Sequence, residues 1–255
     1  MQLDFTFYWT WFLAFTRMSG VLYSLPAIGT DQVPESMRIM PAILIGLCIA
    51  LAGGHAELPP GMAQFGLMVT TEFLLGWILG AVPSLTLAGL SVAGQIVAGV
   101  IGLAQANMLD ASLGESVSVI SKLKTQIATL LFLSMGGHHI VLRAAANISS
   151  DIGFGLFRPD MDTFQILLER FTQSFTLAII ISAPIIVSSL LTQFVLGLVT
   201  KFVPQVNVFI ISMPLTILAG LFIIVATFYG LAHHAELDFT QLEETLARIM
   251  TAKAS

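Results

Sequence analysis

Charge is what this sequence has least of. Ten lysines and arginines and fifteen aspartates and glutamates make up 10% of its 255 residues, where a soluble domain carries roughly 25%. That scarcity argues against an ordinary solvated domain. It points to an integral membrane protein or a subunit buried in an apolar assembly. The few basic residues form no cluster and the net charge is −5, so nothing points to nucleic acid or to a polybasic lipid anchor. The single cysteine, Cys48, lies in an apolar run. Neither a disulfide framework nor a cysteine-built zinc site is available. Alternating strand patterns of useful length are absent too, so the expected fold class is all-α. The N-terminus lacks a basic region, and Asp4 precedes its apolar stretch. It reads as a retained first helix rather than a signal peptide.

What is present is apolar: 56% of residues are hydrophobic and the mean hydropathy is +0.91. Apolar blocks fall at 5–29, 38–54, 65–104, 127–142, 171–199 and 205–232. Short polar connections separate them, the longest being RAAANISSDIGFGLFRPDMD at 143–162. In the tail, Leu242, Leu246 and Ile249 recur at helical spacing, which predicts a short amphipathic helix over part of 236–255. No charge occurs from Phe73 to Leu109. As one straight helix that run would be about 55 Å long, against a hydrocarbon core of about 30 Å. It must bend, break or extend beyond a bilayer, and Pro83 and several glycines offer places to do so. Block 38–54 is short for a span.

Two ionisable residues interrupt the apolar blocks, Arg17 in the first and Glu72 in the third. An ionised group at a bilayer centre costs at least ~2.5–3.5 kcal/mol. Each either faces protein or water and marks something functional, or sits near the end of a tilted helix and snorkels. Basic residues do not segregate into alternate loops, so no orientation follows. Small residues recur every fourth position at Gly76, Gly80, Ser84 and Ala88, and again at Gly94, Ala98, Gly102 and Ala106. Such stripes let another helix approach closely. That helix can belong to the same chain or to another subunit; two consecutive stripes favour dense helix-on-helix assembly.

Catalytic signatures are missing. His138-His139 and His233-His234 are adjacent pairs. Neighbours on a helix diverge by about 100°, so neither pair forms the i, i+4 face of a metallohydrolase. Nucleophile-elbow and phosphate-loop motifs are also absent. Asp160 and Asp162, beside Arg158 and Pro159, read as a solvated turn. No enzyme activity, cofactor or metal is expected. What remains is a transport-like architecture with a small, polar loop at 103–121, LAQANMLDASLGESVSVIS. It is either an ordinary loop outside the membrane or irregular backbone buried in protein or lining a cavity.

Three stretches carry a resemblance: AGQIVAGVIGLAQANMLDAS (93–112), LLFLSMGGHHIVLRAA (130–145) and APIIVSSLLTQFVLGLVTKFVPQVNVFIISMPLTILAG (183–220). In order and spacing they resemble the FliR/SctT family, the export-gate subunits of bacterial type III secretion systems. The similarity runs over most of the chain, and the Gly-His-His block resembles the flagellar branch more than the injectisome branch. Two departures are visible. Ala111 follows Asp110 where the family commonly has proline, and Gly136 stands where asparagine is common.

The resemblance implies a subunit that joins FliP and FliQ in a closed helical assembly at the flagellar basal body of the bacterial inner membrane. Unfolded flagellar export substrates pass through its channel. It implies a FliP-like part over 1–165 and a FliQ-like hairpin over 166–235. The loop 103–121 would then help plug the channel, through Gln105, Asn107, Met108, Leu109 and Asp110. Gly76, Gly80, Gly94 and Gly102 would pack helices. Blocks 171–199 and 205–232 become the hairpin arms, and Lys201, Pro204, Gln205 and Asn207 their polar tip. Pro204 suits the first turn of the second arm; Pro184 and Pro214 should bend the arms. A simple transmembrane hairpin would also have a polar turn, but the resemblance favours a contact with a partner, among them the FlhB loop. The main alternative is a secondary transporter for small solutes, which should show two related halves; no internal repeat is evident.

Overall fold

The computed structural model describes residues 5–29, 33–53, 56–101, 119–146, 153–202 and 208–251. Among them lie eight helices: α1 (Phe5–Ser24), α2 (Glu35–Leu51), α3 (Met62–Val100), α4 (Val119–Ser134), α5 (Gly137–Ala145), α6 (Met161–Phe202), α7 (Val208–Thr240) and α8 (Leu242–Thr251). The architecture of the described residues is helical, with one isolated parallel bridge between Ala56 and Phe154.

Local chemistry sets several of the boundaries. The hydroxyls of Thr10 and Thr16 donate back to the carbonyls of Thr6 and Phe12, both at 2.8 Å, so these polar residues are satisfied inside α1. Pro34 precedes α2 in an extended conformation, and Glu35 places negative charge on its first turn, where the helix dipole favours it. Before α6, the Asp160 carboxylate accepts the Met161 N–H at 2.6 Å.

The apolar block 127–142 is divided. Gly136 adopts φ +74°, a left-handed conformation open to glycine, and α4 and α5 meet at 65°. α6 starts well before its apolar block and α7 runs beyond its own. The polar start of α6 continues the helix because Thr163, Ile166 and Arg170 form a buried stripe. Pro83, Pro184 and Pro214 lie inside continuous helices. Two described helices are long and apolar enough to cross a membrane, Met62–Val100 and Met161–Val199; the bent α4–α5 pair makes a third if it is one span.

Two compact units divide the chain, and neither is continuous in sequence. The first comprises Met1–Leu85, Phe132–Phe171 and Asp238–Ser255; the second comprises Thr86–Leu131 and Thr172–Leu237. The first is built around Trp9, Leu13, Ala14, Ala56, Met68 and Phe154. α8 belongs to it, with Leu242, Leu246, Ile249 and Met250 buried and Phe132 against Phe239 at a centroid distance of 5.3 Å. The second has Val97, Ile101 and Ile185 at its centre, with Ile223 and Ile224 packed on them.

Candidate functional site

The first unit contains a buried charged centre, built where α1 and α3 approach closely. Glycine makes that approach possible. A Cβ on Gly76 would collide with the Arg17 carbonyl and lie 3.1 Å from the Val21 nitrogen. A Cβ on Gly20 would collide with the Phe73 carbonyl and lie 2.9 Å from the Trp77 nitrogen. Gly80 abuts Val21 and Leu25 in the same way, with 2.7 Å from its would-be Cβ to the Val21 carbonyl. The crossing is completed by Ser24, which donates to the Trp77 carbonyl at 2.9 Å and accepts the Ser84 hydroxyl on its own carbonyl at 2.5 Å.

One turn from the Gly20–Gly76 contact, the close approach brings Arg17 and Glu72 together. Both side chains have 0% exposure. Arg17 Nε donates to Glu72 Oε2 at 2.5 Å, and an Arg17 Nη2 hydrogen bond reaches Oε1 at 3.0 Å. This is the two-pronged geometry that a planar guanidinium and a carboxylate share. The third guanidinium nitrogen, Nη1, donates to the Ala145 carbonyl at the end of α5, at 3.3 Å. The Phe154 ring covers the guanidinium, 4.3 Å from carbon to centroid, a cation–π arrangement that needs no solvent. Glu72 Oε1 also accepts the Gly155 N–H at 2.6 Å. Neither charge snorkels. Two groups that would each be costly in an apolar interior compensate one another, and the one guanidinium nitrogen outside the pair also has a partner in the same chain.

A second polar node ties the C-terminal helix to α6. Arg170 is 8% exposed. It donates to Asp238 Oδ1 at 3.1 Å, to the Gln241 carbonyl at 3.2 Å and to the Thr245 hydroxyl. The neighbouring pair Arg248–Glu169, at 3.6 Å, is solvent-exposed.

The other residues singled out from sequence fall as follows. Gly76 and Gly80 are buried against α1 of the same chain. Gly94 is buried in α3, whereas Ala88 is exposed. Gly102 and the loop residues Gln105, Asn107, Met108, Leu109 and Asp110 lie outside the described residues, as do Pro204, Gln205 and Asn207. Lys201 is exposed in the last turn of α6, and Pro214 is exposed within α7. Among the described residues no group of three or more His, Cys, Asp or Glu side chains could hold a metal ion. Sequence reasoning missed the Arg17–Glu72 pairing, Gly20, the burial of Phe154 and the Gly155 hydrogen bond to Glu72. One signal was available for the pair: opposite charges stand alone in two apolar blocks.

The chain matches the family described as bacterial export proteins, family 1, over residues 8–242. It is 26% identical over 222 residues to the flagellar biosynthetic protein FliR of Caulobacter vibrioides, covering 86% of this chain and 88% of that one. Against the flagellar biosynthetic protein FliR of Bacillus subtilis it is 28% identical over 212 residues, 80% of each chain. Against the Yop proteins translocation protein T of Yersinia pestis it is 27% identical over 170 residues, 66% of this chain and 65% of that one.

Proposed function

The chain belongs to the bacterial export proteins, family 1, and on that premise we propose that it is a flagellar-type subunit of the type III protein export gate. It is a membrane protein of the export apparatus and not an enzyme. The observation that carries the reading is the extent of the family match, from within α1 to the first residue of α8. It takes in the charged centre of the first unit and the long helices α3, α6 and α7.

Physical features support a life among other helices. α6 exposes Ile179, Ile180, Leu190, Leu191 and Phe194, each at half exposure or more. Apolar surface of this extent is covered by lipid or by other subunits in a working protein. The FliP and FliQ subunits are the proposed neighbours, with a FliP-like part to about residue 165 and a FliQ-like hairpin after it. Residues 103–121 are the proposed channel plug. The segment from Lys201 to Asn207 is the proposed contact with a neighbour or with FlhB at the inner membrane of the basal body. Unfolded flagellar subunits are the proposed cargo.

Native mass spectrometry after co-expression with FliP and FliQ tests the assembly. A complex containing all three supports the reading. A chain that accumulates and purifies as a stable monomer, indifferent to both, contradicts it.

A further inference from the structure

The longest polar connection in the sequence does not stay outside the first unit. Its residues Phe154 and Phe157 are 4% and 3% exposed. This strap runs beside the connection between α2 and α3 through the Ala56–Phe154 bridge. That connection is itself pinned to α1: the Ala56 N–H donates to the Thr10 hydroxyl at 3.1 Å, and Trp9 Nε1 donates to the Glu57 carbonyl at 2.9 Å. Gly155 sits at φ +84°. A Cβ there would lie 3.2 Å from the Met68 methyl and 3.5 Å from Leu13 Cδ1.

We propose that Glu72 is the keeper of a latch: one carboxylate oxygen, shared between Arg17 and the Gly155 amide, holds the 153–157 strap closed over the charged centre. The dependence runs mainly one way. Opening the strap removes one donor from Glu72 and the aromatic cover from Arg17, but leaves the two-pronged pair between α1 and α3 intact. Losing the carboxylate charge weakens the acceptor of the part-buried Gly155 N–H and leaves the guanidinium beneath Phe154 without its counter-charge, which disfavours the closed strap. α6 begins soon after Phe157, so the latch sets where that helix starts. The strap is therefore a separable element of lower stability, whereas the α1–α3 crossing is part of the global fold.

Hydrogen–deuterium exchange on the full chain in detergent-solubilised membranes tests this. Gly155→Ala opens the strap from its own side; Glu72→Gln releases it from the keeper's side. Both should speed exchange across 153–157 by about tenfold or more. In Gly155→Ala, protection of α1 and α3 around Arg17 and Glu72 should stay within about twofold of the parent. Unchanged strap exchange in Glu72→Gln overturns the proposal. So does loss of α1 and α3 protection together with the strap in Gly155→Ala, because the strap would then be an inseparable part of the core. If Glu72→Gln yields no folded protein, Gly155→Ala decides alone. Phe154→Leu, which removes only the aromatic cover, gives a milder version of the same test: faster strap exchange supports the latch, and none overturns it.

Discussion

Arg17 on α1 and Glu72 on α3 meet fully out of solvent, 2.5 Å apart at Nε and Oε2. Removing one partner strands the other as a buried charge. Arg17→Met or Glu72→Leu alone should each cost about 3–5 kcal/mol, while the double change to an apolar pair should recover most of that loss. Thermal denaturation of the solubilised protein reads both. Near-silent single variants would mean that water reaches the pair.

The α1–α3 crossing rests on backbone contact. Gly76→Leu places a side chain where the Arg17 carbonyl sits and should abolish accumulation of the folded chain. Gly99, also in α3, has nothing among the described residues within 4 Å of a would-be Cβ. Gly99→Ala should accumulate normally and gain up to about 1 kcal/mol from helix propensity. Membrane yield by immunoblot separates the two. If Gly99→Ala also fails, a neighbouring subunit occupies that face.

Arg170 holds α8 through Asp238, Gln241 and Thr245. Hydrogen bonds involving a charged group contribute about 1.5–3 kcal/mol. Arg170→Leu should therefore loosen α8, seen as faster proteolysis within 242–251, while the rest of the first unit keeps its resistance. Arg248→Ala, which removes an exposed pair, should stay within about 0.5 kcal/mol of the parent. Equal effects from both would place the anchoring elsewhere.

The loop 103–121 is proposed to plug the channel. Shortening it should leave the assembly isolable yet let ions through reconstituted complexes. A tight seal after deletion removes the plug role.

Helix content was legible because the apolar blocks are long and strand-like alternation is missing. The face of α8 was legible too, since Leu242, Leu246 and Ile249 keep helical spacing and are among the residues it buries. The break between α4 and α5 was not, because it depends on the left-handed backbone of Gly136 in a sequence where glycine is common. Arg17 and Glu72 stood out as anomalies, but their partnership is set by the Gly20–Gly76 crossing, a tertiary fact between residues far apart in sequence. The strap was concealed by composition. Its polar flanks mark 143–162 as a surface connection, and only the fold turns Phe154 and Phe157 inward. The small-residue stripe at Gly76 and Gly80 announced a close helix neighbour without saying whose; among the described residues that neighbour is α1.

The most direct test of the account is secretion of flagellar subunits by the source bacterium after removal of this chain. Cell and medium fractions should be compared by immunoblot, with a plasmid copy as the control. The account predicts that subunits are made at normal levels inside the cell, are absent from the medium and the cell surface, and return outside when the chain is restored. Normal export without the chain would contradict it.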